Sequence, residues 1–159
     1  MMRQKIRTFL WFDNQAEEAA RFYVSLFPES EIQNVVRCGD AGPGPAGSVL
    51  TMEFQLAGRQ FIALNGGPHF KFNEAISLSV DCESQDEIDD LWGRLTTGGS
   101  PSRCGWLKDK YGLSWQIVPR RLGQLLSGPD PEKSMRATEA MLQMSKLDIA
   151  ALQRAYDGN

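Results

Sequence analysis

Histidine is all but missing from this chain: among 159 residues there is one, His69, inside the stretch NGGPHF (65–70). Cysteine is scarce too. Cys38, Cys82 and Cys104 are odd in number and widely spaced, with no C-x-x-C pair, so neither a disulfide framework nor a zinc-finger spacing follows. Reduced, scattered cysteines fit a cytoplasmic protein. No run approaches the roughly 18 apolar residues of a membrane span, and MMRQKIRTFLWFD meets charge too early for a signal peptide. Neither charge sign dominates: 17 Lys and Arg face 20 Asp and Glu, interspersed, for a net charge of −3. That balance argues against nucleic acid as a partner, which requires a basic face.

What is present is alternation. IRTFLWF (6–12) reads as a buried strand. Asn14-x-x-Glu17 reads as a capping box opening a helix that buries Ala19, Ala20, Phe22, Tyr23 and Leu26 and stops at Pro28. IQNVVR (32–37) and SVLTMEFQL (48–56) follow as strands, and the latter forms a hairpin through Ala57-Gly58 with QFIALN (60–65). The pattern then restarts. AISLSVD (75–81) is a strand, Ser84-x-x-Glu87 a second capping box, and Ile88, Leu91, Trp92 and Leu95 recur at helical spacing up to Gly98-Gly99. SRCGWLKD (102–109) and LSWQIV (113–118) read as a last hairpin. NQAEEAARF and SQDEIDDLW begin 84 − 14 = 70 residues apart, so a tandem βαβββ duplication is the economical reading.

The predicted class is α+β: tandem modules at about 4–66 and 74–119, forming a curved, mostly antiparallel sheet around a cup within a domain at 1–127. A helical tail covers 128–159, opened by Asp130-Pro131 and carrying Met135, Met141 and Met144, with Asp148 capping a final helix. Packing on its own domain and exchange across a homodimer both remain open for this tail.

Strand parity assigns faces. Thr51, Glu53 and Gln55 oppose an apolar set in the third strand; Ser77 and Ser79 do so in the fifth, and Ser114 and Gln116 in the last. In 60–65, Asn65 shares parity with Phe61 and Ala63, against Ile62 and Leu64. Short uncharged polar groups fit a half-enclosed cup that hydrogen-bonds a small molecule, with Glu53 as its main charge. Trp106 and Lys108 share parity with Cys104, so Trp106 can stack on a planar ligand and Lys108 can pair with an acidic one. The expected ligand set is therefore Thr51, Asn65, Ser77, Ser79, Trp106, Lys108, Ser114 and Gln116.

WFDNQAEEAARFYVSLFPES, NGGPHFKFNEAISLSVDC and CGWLKDKYGLSWQIVP resemble the vicinal oxygen chelate superfamily of glyoxalase I, bleomycin-resistance proteins and extradiol dioxygenases. Within it they resemble the PhnB-like subgroup described as 3-demethylubiquinone-9 3-methyltransferase, over roughly 5–158. The resemblance implies a divalent metal held by one side chain from each of four strands, at positions near Ile6, Phe61 or Ala63, Ala75 and Gln116. No His, Asp or Glu stands there, so no metal is expected. The one GxGxxG match, GPGPAG (42–47), opens no helix and carries two prolines, so it is read as a stiff loop at the rim of the cup rather than a nucleotide-type turn. No cofactor is implied. The expected function is metal-independent binding of a small organic molecule by a cytoplasmic homodimer. A metal-independent enzyme with Glu53 as general base, and a dimeric scaffold with a filled cup, are the alternatives. His69 is read as structural or exposed.

Overall fold

A computed structural model describes residues 4–159; the reading of the chain's start also rests on residues 1–3, which lie outside the described residues. The chain forms two compact units, Met1–Lys71 and Phe72–Asn159.

The first unit runs β1 (Thr8–Phe12), α1 (Ala16–Val24), β2 (Glu31–Arg37), β3 (Val49–Leu56) and β4 (Arg59–Asn65). Its sheet has the order β1-β4-β3-β2, with β1 parallel to β4 and the other pairings antiparallel. Ala57 and Gly58 both take positive φ at the β3–β4 turn, the backbone twist that a tight hairpin needs. Ala19, Ala20 and Tyr23 of α1 are fully buried, and Tyr23 reaches Phe54, whose ring stacks on Phe61 at 5.5 Å.

Two expectations change here. The capping box at Asn14 does not form: Gln15 is the N-cap residue and makes no side-chain bond. The Ala16 N–H instead donates to Oδ1 of Asn65, at the far end of β4, at 2.8 Å. The faces of β4 are also the reverse of those expected. Ala63 pairs with Met52 and Phe61 with Phe54, so these lie under α1, while Ile62 and Leu64 sit beside Glu53 and Thr51. Antiparallel register fixes this, because directly paired residues share a face. Apolarity alone cannot, since both faces of β4 carry apolar residues. In NGGPHF, a Cβ on Gly66 would lie 2.3 Å from the Trp11 ring, and the Trp11 indole N–H donates to the Gly67 carbonyl. Glycine is what lets the chain leave β4 beneath that ring.

The second unit repeats the plan: β5 (Ser77–Cys82), α2 (Gln85–Thr96), β6 (Ser100–Pro101), β7 (Trp106–Lys108) and β8 (Ser114–Pro119), in the order β5-β8-β7-β6 with β5 parallel to β8. Tandem βαβββ in an α+β protein is therefore the architecture, each module with its own four-stranded sheet. The Ser84 capping box forms: Glu87 N–H donates to Ser84 Oγ, and the Glu87 carboxylate accepts from the Glu83 N–H. Ile88, Leu91 and Leu95 are buried beneath α2, and Trp92 is half-buried. The strand expected over 102–109 is broken. Cys104 and Gly105 take left-handed backbone, so only Trp106–Lys108 of it remains extended, as β7, and the short β6 lies ahead of its expected start.

Three helices follow: α3 (Leu122–Leu126), which sequence periodicity does not announce, α4 (Pro131–Leu142) and α5 (Ile149–Asp157). Asp130 and Asp148 cap the last two through their side chains. Leu125, Ala137, Leu147 and Leu152 form a core with Val118, and Met141 and Met144 pack against it, whereas Met135 is exposed. Gln85 of α2 bonds this tail twice, donating to the Leu147 carbonyl and accepting from the Ile149 N–H. No helix among the described residues is long and apolar enough to cross a membrane.

Candidate functional site

The second sheet gathers six of the expected ligand residues on one face. Across it run two rungs of side chains: Ser77, Ser114, Lys108 and Ser100 on the first, Ser79, Gln116 and Trp106 on the second. Leu78, Trp115 and Leu107 alternate with them on the opposite face, where Trp115 and Leu107 are buried. Period-two alternation and register together put six positions from three strands side by side.

Within this face the Gln116 amide donates to Ser77 Oγ at 3.0 Å, which occupies two of the polar groups with each other. Lys108 is ion-paired with Glu74, from the turn ahead of β5, and that ammonium holds the Glu74 carboxyl below its ordinary pKa, through a hydrogen bond first and charge second. Ser114 stands apart. Its side chain is 1% exposed, and its hydroxyl has no hydrogen-bond partner among the described residues. A buried hydroxyl without a partner costs about 1–3 kcal/mol, so native chains seldom keep one without a use. Ser114 lines a pocket of about 280 Å³ together with Trp106, Lys108, Glu74 and Ser102.

In the first sheet, Thr51 and Glu53 lie on the face away from α1, on rungs that also carry Val36, Leu64 and Trp11, and Asn34, Ile62 and Phe9. This face is more apolar than expected. Glu53 is not set among neutral groups either: Arg7 Nη1 donates to its Oε1 at 2.9 Å. Arg7 falls inside the strand expected over 6–12 but just ahead of β1, and parity within one strand does not say which carboxylate it meets. Asn65 faces the helix side, and both ends of its amide are engaged, since Nδ2 donates to the Val49 carbonyl at 3.0 Å while Oδ1 caps α1.

Asn65 also borders a pocket of about 510 Å³ in the first unit, between the start of α1 and the β2–β3 connection, with Asp13, Asn14, Cys38, Pro45 and His69 around it. GPGPAG is part of that connection. It folds back through Gly47 N–H to the Cys38 carbonyl and Ser48 N–H to the Pro45 carbonyl, and leads into β3, not a helix. His69 is exposed.

The metal of the superfamily does not fit these residues. Phe61 and Ala63 point beneath α1, and of the four positions only Gln116 carries a donor atom, its amide already bonded to Ser77. Among the described residues no three His, Cys, Asp or Glu gather. Divalent metals require such ligands. The thiols offer no obvious nucleophile in the second sheet: burial, with Glu87, Asp81 and Glu83 adding to it, pushes Cys82 from 9.0 up to about 12.

Two βαβββ modules, each with its first strand parallel to its last and a helix on one face, define a glyoxalase-like fold. The chain belongs to the family described as 3-demethylubiquinone-9 3-methyltransferase, whose model matches residues 4–118; the match stops short of the helical tail. The PhnB protein of Bacillus cereus is 41% identical with a TM-score of 0.67, the match covering 72% of this chain and 99% of that one. A Pseudomonas aeruginosa protein of known crystal structure, 19% identical with a TM-score of 0.60 over 74% of this chain and 98% of its own, shares the fold. No curated protein matches the chain.

Proposed function

We propose that the protein binds a small organic molecule against the polar face of its second sheet, without a metal. The observation that carries this reading is the buried Ser114 hydroxyl, lacking a partner among the described residues, in a pocket walled by Trp106 and Lys108. A face kept only for solubility presents lysine and glutamate to water. A scaffold with a filled face has no use for an unpaired hydroxyl. Metal-independent catalysis with Glu53 as general base draws less support, because Arg7 holds that carboxylate in an ion pair.

A thermal-shift screen against a metabolite library tests the reading, since a ligand at a hundred times its Kd adds about 2.7 kcal/mol to native stability. We expect hits that raise Tm by several degrees and lose that shift in Trp106→Ala. A library that shifts nothing, or hits indifferent to Trp106→Ala, would sink it.

We also infer a cytoplasmic homodimer. The free cysteines support the compartment. Phe9 and Val36, exposed on the face of the first sheet away from α1, support self-association through apolar burial. Sedimentation equilibrium is expected to give twice 17.7 kDa; a single-chain mass at micromolar concentration rejects the dimer.

A further inference from the structure

We propose that the pocket on the second sheet is an acid-recognition subsite: it takes a small organic carboxylate whose charge pairs with Lys108 in place of Glu74 and whose oxygen bonds the Ser114 hydroxyl. This rests on the reading of that face as a binding site, and adds the chemical class of the ligand.

Three observations converge. First, Ser114 and Lys108 are direct cross-strand partners on one rung, so a hydroxyl and an ammonium converge on one place. A hydroxyl both donates and accepts, an ammonium only donates, and an acid oxygen can engage both at once. Second, Lys108 is held by the sheet, whereas Glu74 reaches it from a turn outside the strands. Both side chains reach water, Lys108 at 41% and Glu74 at 61% exposed. An ion pair so placed is weak, so a ligand's carboxylate displaces Glu74 at little cost. The Glu74 side chain thereby stands in for the ligand's acid group while the subsite is free. Third, Trp106, on the neighbouring rung and half-buried, supplies a flat apolar wall. The pocket of about 280 Å³ is at the lower end of ligand-site volumes, roughly 300 Å³ and upward, which favours a single ring or a short chain. A cationic ligand fits less well, because its only carboxylate partner would be the turn-borne Glu74, with the Lys108 ammonium beside it.

The test uses the full chain, titrated calorimetrically with monocarboxylates from benzoate to pyruvate, each against its own amide. We expect at least one acid to bind and its amide to bind about tenfold more weakly or not at all, as befits loss of a charge-assisted contact. Lys108→Met should weaken the acid about tenfold or more, and Glu74→Gln should tighten it severalfold by removing the competing carboxylate. Ser114→Ala should weaken it while raising the Tm of the free protein by about 2–4 °C, because an unpaired buried hydroxyl is gone; a purely structural serine would lower Tm instead. Equal binding of acid and amide, weaker binding in Glu74→Gln, or a lowered Tm in Ser114→Ala overturns the acid subsite. If no acid binds but neutral or cationic metabolites give shifts that Trp106→Ala abolishes, the subsite falls and the broader reading stands. If nothing of any class binds, both fall.

Discussion

Asp109→Ala is expected to destabilise the second unit by about 3–5 kcal/mol, the range for removing a buried carboxylate that anchors several hydrogen bonds. Asp109 is 2% exposed. Its Oδ1 accepts from the N–H groups of Tyr111 and Leu113, at 2.9 and 3.1 Å, and its Oδ2 from the Trp115 indole N–H at 2.9 Å. One side chain thus closes the β7–β8 turn, where Gly112 takes φ +88°, and ties that turn to the largest fully buried ring of the chain. Removing it orphans two backbone donors and an indole N–H, of which the Leu113 N–H and the indole are buried. Asp109→Asn keeps one acceptor oxygen and should cost less than half as much. Urea denaturation followed by circular dichroism measures both; a loss below about 1 kcal/mol for the alanine variant would refute this role. There is a functional consequence. Asp109 follows Lys108 and Trp115 follows Ser114, so the Asp109–Trp115 bond pins, from the buried side, the same two strands whose other side presents the ammonium and the hydroxyl. Ligand affinity should fall in Asp109→Ala although Asp109 touches no ligand.

How much of this was legible beforehand depended on which interactions are local. The tandem repeat, the Ser84 box, the Asp130 and Asp148 caps and the alternation in β5 and β8 are all written in neighbouring residues, and the structure keeps them, the repeat at 77 − 8 = 69 residues from β1 to β5. Six residues of the second sheet could be placed on one face because Ser77, Ser79, Ser114 and Gln116 alternate with an unmistakably apolar set. β4 gave no such contrast: with Phe61, Ile62, Ala63 and Leu64 in a row, only the β3 register decides which side is which. Arg7 beside Glu53 and Asn65 beneath α1 are long-range partners, 46 and 49 residues away in sequence, and no local pattern announces them. Asp109 was missed, although its signal is local. An Asp opening a four-residue turn ending in Gly often bonds its own backbone two residues on, and a tryptophan two strand positions past the turn is within its reach.

Asn65→Ala is expected to cost the first unit about 2–3 kcal/mol, combining a lost helix cap with an unpaired carbonyl, and to leave ligand binding by the second sheet unchanged. The expectation follows from the two ends of one amide. Its oxygen accepts from Ala16 N–H, a donor that the N-cap residue Gln15 leaves unserved, and its nitrogen donates to the Val49 carbonyl. The side chain therefore joins the end of β4 to the start of α1 and the start of β3. Asn65→Asp separates the two bonds: the carboxylate still caps the helix, and a negative charge near its N-terminus is favourable, but the donor is replaced by a lone pair facing the Val49 carbonyl. It should recover part of the loss at most. Were Asn65 instead a ligand group, with its amide turned toward a bound molecule, Asn65→Ala would leave the denaturation midpoint almost unmoved and would abolish binding. Denaturation curves and calorimetry on the same two variants distinguish these outcomes, and the two bonds already present favour the bracket: an amide with both its oxygen and its nitrogen engaged would have to break both bonds to turn toward a guest.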